Sequence, residues 1–154
     1  MALCRSRHNG KKIAGRKRSI VTDTLGLLAA VLITAASVSD SAAGLPLLTT
    51  VAAAQPTFTK AWADSAYRTT AIDGAAKAGI DVEVVTRNPA TRGFTPLPRR
   101  WVAERTLGWL MLRRRLARDY EALPSRSEAM IHIAMIDLMS RRLTGENTPT
   151  WRGT

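Results

Sequence analysis

Cysteine is nearly missing from this chain: Cys4 stands alone among 154 residues. A single thiol excludes an intrachain disulfide and a cysteine-rich zinc site, and it fits a reducing compartment. Its setting in a basic N-terminal stretch argues against a thiol nucleophile. No apolar run approaches the ~20 residues that a membrane span requires. There is no internal repeat and no glycine-rich phosphate loop. Acidic residues are also scarce, 12 against 23 Lys and Arg, giving a net charge of +11. Apolar residues make up 45% of the chain and charged residues 23%, as in a single globular domain with a core of its own.

The excess positive charge is unevenly spread. Residues 1–18 hold seven Lys/Arg and no acid, and residues 99–118 hold seven Arg and one Glu. The remainder is close to neutral. Two basic blocks on a neutral body point to a polyanionic partner, with nucleic acid the first choice. Against this stands a uniformly solvated, arginine-rich surface.

Residues 1–43 have the outline of a secretory leader: basic residues to Arg18, an apolar run Leu25 to Thr34, then Ser41-Ala42-Ala43. A small secreted protein is therefore one reading. Asp23, directly before the apolar run, speaks against it. The rival reading is a hairpin over 18–36, two β-prone runs joined by Asp23-Thr24-Leu25-Gly26. The second run is apolar at successive positions, as in a strand covered on both faces.

Further along, Ser37 to Ser41 is cap chemistry for a helix over 42–54 that contains Pro46. Phe58 to Ala63 reads as a strand with Asp64 at its end. Thr69 to Ala78 reads as a helix closed by Gly79, and Ile80 to Val85 alternates like a half-buried strand. A turn-rich loop over 88–93 precedes a long helix from Arg99 to about Glu121. Pro124 breaks it, and Ser125 with Glu128 forms a capping box for a core helix through Leu143. His132 reads as a packed or hydrogen-bonded imidazole. The expected domain plan is a basic arm over 1–17, an α/β body over 18–143 and a polar tail over 144–154, with a mixed sheet flanked by helices.

Two carboxylates stand out. Asp64 ends an apolar run, and Glu104 lies in an arginine-rich helix. At about 100° per residue, Arg100, Glu104, Met111 and Arg115 share a stripe, beside an apolar face of Trp101, Trp109, Leu112 and Leu116. Acids among cations suit a divalent ion acting on a phosphodiester, with the arginines holding phosphates. Helical ion pairs of Glu104 with Arg100 and Arg105 are the simpler alternative.

Gly10-Lys11-Lys12 through Arg18, followed by Asp23-Thr24-Leu25-Gly26, resembles the opening of the catalytic core of bacterial insertion-sequence transposases, the DDE type of the IS-four/IS-five-like kind. Trp62-Ala63-Asp64 with Tyr67 is similar to that family's second-aspartate segment. Gly93-Phe94 and Leu97 to Thr106 resemble the segment bearing its glutamate, and Arg113 to Glu121 and Ser127 to Ile131 its end. The resemblance spans about residues 9–143. It implies an RNase H-like sheet, here expected to lack its first strand by N-terminal truncation. It also implies Mg²⁺ or Mn²⁺ as cofactor, with Asp64 and Glu104 as metal ligands and catalytic acids. Arg100, Arg105, Arg113, Arg114, Arg115, Lys11, Lys12, Arg16, Lys17 and Arg18 would face DNA. The partners implied are transposon ends and another transposase chain, at the bacterial nucleoid in the cytoplasm, away from membranes. The departures are specific: no acid precedes Asp23, Asp23 reads as a turn residue, and Leu97 and Met111 stand where the family's Tyr-Arg-Glu-Lys pattern has Tyr and Lys. The expected activity is thus an incomplete transposase, with a DNA-binding or regulatory remnant as the alternative.

Overall fold

The computed structural model describes residues 2–5, 15–67, 70–86 and 99–146. Lys11, Lys12 and the turn-rich loop over 88–93 lie outside them. Five strands, β1 (Ala2–Arg5), β2 (Arg16–Thr22), β3 (Leu28–Ala35), β4 (Lys60–Ala63) and β5 (Asp81–Val84), form one sheet in the order β3-β2-β1-β4-β5. β1 and β2 pair antiparallel, as do β2 and β3, whereas β4 runs parallel to both β1 and β5. Among the described residues four helices accompany it: α1 (Asp40–Ala54), α2 (Thr70–Lys77), α3 (Arg100–Met111) and α4 (Pro124–Thr144). The result is the mixed α/β layout expected.

One expectation is corrected at once. The sequence pattern places residues 2–5 in a basic arm and leaves the sheet without its first strand. Instead Ala2–Arg5 is the middle strand, pairing with β2 on one side and β4 on the other. Four residues carry no legible period, and partners on both edges supply the hydrogen bonds that local propensity does not. Arg16 and Lys17 likewise belong to β2 rather than to an arm.

The hairpin forms because its turn is chemically specified. Asp23 Oδ1 accepts from the backbone N–H of Leu25 at 2.9 Å and of Leu27 at 2.7 Å, and Gly26 takes a φ of 86°. The apolar run of the leader reading thus becomes this turn and β3. β2 buries both faces, with Val21 in a core beneath α1 and Ile20 packed on Ala103 of α3. β3 is covered on both faces as well: Ala29, Ala30 and Leu32 join the α1-side core, while Ile33 and Val31 join the core with α4. α1 starts at Asp40 with Ser39 accepting from Ala42 N–H at 3.2 Å. α2 ends as expected at Gly79 (φ 76°), where Gly79 N–H bonds Ala76 O and Ile80 N–H bonds Ala75 O.

Three further expectations change. The long helix stops at Met111, and residues 112–119 form successive turns that bury Leu116 against α4. Arg115 therefore does not extend the Glu104 stripe. α3 docks through Ala103, Thr106 and Leu110, all buried, whereas Trp101 stays 46% exposed. No capping box forms: Leu123 is the N-cap of α4 with no side-chain cap bond, and Pro124 opens the helix. Glu128 instead accepts from the backbone N–H of Ile33 at 2.8 Å, covering a donor on the edge strand.

Candidate functional site

Asp64 follows β4 directly, as expected, and begins a short 3-10 turn over Ser65–Tyr67. Its Oδ1 accepts from Ser65 Oγ at 3.0 Å, and its carbonyl from Tyr67 N–H at 3.0 Å. The face on which it lies follows from register. Ala61 and Ala63 belong to the α1-side core, so positions 62 and 64 lie on the opposite side, where α3 packs on β1 and β2. Trp62 bears this out. Its ring receives the Arg99 guanidinium at 4.5 Å, and its Nε1 donates to Glu83 Oε2 at 3.0 Å. Arg99 also pairs with Glu83 at 3.4 Å and immediately precedes α3. The segment carrying Asp64 is thereby tied to the first turn of the helix that carries Glu104, which is exposed on α3.

The same face receives β1. Leu3 is level with Ala63 in the parallel pairing, and the next position, 4, is level with Asp64. Position 4 is also opposite Ile20, which packs on Ala103 of α3. The backbone thus brings β1, the end of β4 and α3 to one place, and the residue supplied there by β1 is Cys4. No acid occurs on β1.

Most of the arginines and lysines expected to face DNA are bonded within the fold. Arg16 Nη2 donates to the carbonyls of Glu121 (2.6 Å) and Ala122 (3.0 Å). Lys17 Nζ bonds Val38 O at 2.7 Å and pairs with buried Asp40 at 3.3 Å. Arg18 donates to Leu116 O at 2.6 Å, and burial pushes its guanidinium below the ordinary arginine range, with Asp119 acting the other way. Arg105 donates to Leu25 O at 3.0 Å and lies between the rings of Trp101 and Trp109, 4.7 Å from each. Arg113 pairs with Asp137. Arg115 is 61% exposed and bonds Glu121 at 2.8 Å, which raises its pKa. Arg114 is exposed, as is Arg118, and neither makes such a contact among the described residues. The Arg100 backbone opens α3; its side chain and both Lys11 and Lys12 lie outside what is described.

Residues 2–138 match the family model of the transposase DDE domain. The chain belongs to that family. Among curated proteins none matches the chain. DDE transposases generally use divalent metal ions and act on DNA, and no described helix of this one is long and apolar enough to cross a membrane.

Among the described residues the side chains do not make up the donor set of a two-ion site. Asp64 directly follows β4, Glu83 lies on the adjacent β5 beside Trp62, and Glu104 is exposed on α3; no group of three or more His, Cys, Asp or Glu that could hold a metal occurs among the described residues. A thiol at position 4 is a soft ligand, poorly matched to Mg²⁺ or Mn²⁺. α3 is held in place by contacts that have no sequence signature: Thr106 Oγ1 donates to Gly26 O at 2.7 Å, beside the Arg105 bond to Leu25 O. The spacing of Asp23 and Gly26 marked a turn, and nothing local marked it as a docking surface.

Proposed function

We propose that this chain is an RNase H-like transposase catalytic domain of the IS-four/IS-five-like kind that binds transposon-end DNA and, by itself, lacks a complete catalytic triad. Asp64 and Glu104 are its second and third acids. The observation that carries the reading is the register of β1 on β4, in which Cys4 is level with Asp64 where a third carboxylate would be needed. Asp64 at the end of the fourth strand of a mixed sheet supports the RNase H-like assignment. Arg100, Arg114 and Arg118, with Lys11 and Lys12, hold DNA phosphates at the bacterial nucleoid, while Arg16, Lys17, Arg18 and Arg105 contribute through the fold. A DNA-binding remnant with a regulatory role differs from this reading only in whether chemistry returns when another transposase chain supplies the missing acid.

The DNA-binding part is tested by titrating a duplex bearing an element end across a salt series. Each neutralised phosphate releases counterions, so affinity falls linearly on a log–log plot, with a slope of about −0.9 per contact. Replacing Arg114 and Arg118 together by Ala is expected to reduce the slope by about two contacts. Binding indifferent to salt and to both substitutions would remove the DNA reading.

A further inference from the structure

Arg99 is the one non-glycine residue with a positive φ among those described, 72° with ψ −42°. That region is sparsely populated for a side chain of this size and stores strain. The helix that follows does not call for an arginine here. As N-cap of α3, Arg99 makes no side-chain cap bond, where Ser, Thr, Asp or Asn would make one. What the strained turn achieves is to lay the guanidinium on the sheet. There it closes a triangle of three residues. Its Nη1 pairs with Glu83 Oε1 at 3.4 Å, its centre lies 4.5 Å from the Trp62 ring, and Trp62 Nε1 donates to Glu83 Oε2 at 3.0 Å. Lys60 Nζ, 3.1 Å from Oε2, holds the same carboxylate from β4. The Arg99 and Glu83 side chains are 53% and 46% exposed, so their pairing stabilises the fold little.

The consequence of the triangle lies in where it stands. Trp62 and Glu83 are level in the pairing of β4 with β5, and Asp64 is two residues further along the same face, about 7 Å away. The other attachment of α3 is at Thr106, bonded to Gly26 O at 2.7 Å. One attachment fixes a point on a helix. Two, about 10 Å apart at 1.5 Å per residue, fix its direction, and Glu104 lies between them. We propose that Arg99 is a positioning residue: by pinning the start of α3 to Trp62 and Glu83, it sets where Glu104 stands relative to Asp64. The purpose of this placement rests on the reading of those two residues as the second and third acids. The placement itself is independent of metal, DNA and cleavage. Without the pin, α3 stays docked through Ala103, Thr106 and Leu110 but swings about that contact. A displacement of about 1 Å at a reacting group costs on the order of a hundredfold in rate.

Spin labels on cysteines placed at exposed Ala66 and Glu104, in the full chain carrying Cys4→Ala, read the separation of the Asp64 turn from α3 as a distance distribution. A tilt of about 15° about Thr106 carries a nitroxide about 10 Å from that attachment through roughly 2–3 Å. Arg99→Ala is expected to shift or broaden the distribution by that amount, with helix content by circular dichroism unchanged. Arg99→Gly, which relieves the backbone strain but has no guanidinium, is expected to do the same. Glu83→Gln does so less, and Arg99→Lys, which keeps a charge for Glu83, recovers part of the wild-type distribution. A role limited to stability moves the unfolding midpoint and leaves the native distances alone. That result, or an Arg99→Gly distribution matching the wild type, overturns the inference. Misassigned acids show separately, as Mn²⁺ binding to the Cys4→Asp chain that ignores Glu104→Gln while the distances still follow Arg99.

Discussion

Replacing Gly26 by Ala tests the contact that positions the helix of Glu104. Gly26 has a φ of 86°, a region that costs an L-residue roughly 1–2 kcal/mol. An added Cβ would stand 2.8 Å from Thr106 Oγ1 and 2.9 Å from Trp109 Cζ3, so α3 or the turn must move. Overpacking of that kind costs about 1–3 kcal/mol, and disturbing the 2.7 Å bond from buried Thr106 to Gly26 O adds about 1 kcal/mol. The expected loss is about 3–6 kcal/mol, a large fraction of a typical domain's stability. Gly79 supplies the control within the same molecule. Its φ is 76°, and nothing lies within 4 Å of an added Cβ, so Gly79→Ala costs only the backbone penalty of about 1–2 kcal/mol. Urea unfolding of both variants measures the difference. Combining Gly26→Ala with Thr106→Ala should recover part of the loss, a non-additivity expected of touching residues. If Gly26→Ala and Gly79→Ala cost the same, the turn does not dock on α3 and the placement of Glu104 is wrong.

Lys17→Met separates a structural lysine from a DNA contact. Its partner Asp40 is 5% exposed in the side chain, so losing the pair is expected to cost about 3 kcal/mol in urea unfolding while leaving the salt slope of DNA binding unchanged; a slope reduced by about one contact would make Lys17 a phosphate ligand instead. Glu83 is held below the usual carboxylate range by its hydrogen bond from Lys60 and then by that from Trp62. A carboxyl lowered in the folded state stabilises above its unfolded pKa, and that contribution disappears as pH falls through the folded value. Stability of the wild type should therefore decline more steeply than that of Glu83→Gln below about pH 4, and parallel acid limbs in urea unfolding would refute the pairing. Cys4→Asp restores a carboxylate level with Asp64; calorimetric titration is expected to show Mn²⁺ bound about tenfold more tightly than by the wild type, and unchanged affinity would count against the β1–β4 register.

Much of the fold was legible because its signals were local. The turn at Asp23–Gly26, the cap at Ser39, the αL residue Gly79 and the apolar run of β3 each follow from a few neighbouring residues. β1 was not legible, since four residues with no period become a strand only through partners at 19–22 and 62–63. The end of α3 was hidden for a related reason. Helical pattern continues past Met111, and what interrupts it is distant: Leu116 is buried with Ile33 and α4, and Arg18 bonds its carbonyl. The places of Asp64 at the end of a strand and of Glu104 on a helix were legible, and the internal bonds of the basic residues were not. Arg16, Arg18 and Arg105 look like a DNA surface in sequence, but their carbonyl partners lie 80 to 106 residues away, where composition gives no hint of them. Glu128 misled in the same way, offering a capping box while bonding the edge strand 95 residues back.

The most direct test of the central claim is strand cleavage of an end-bearing DNA duplex by this chain alone in Mn²⁺, with Asp64→Ala as its control. Two acids without a third should leave the duplex intact in both reactions, although the DNA is bound. Nicking by the wild type that disappears in Asp64→Ala would mean that the chain completes its own active site, contradicting the account.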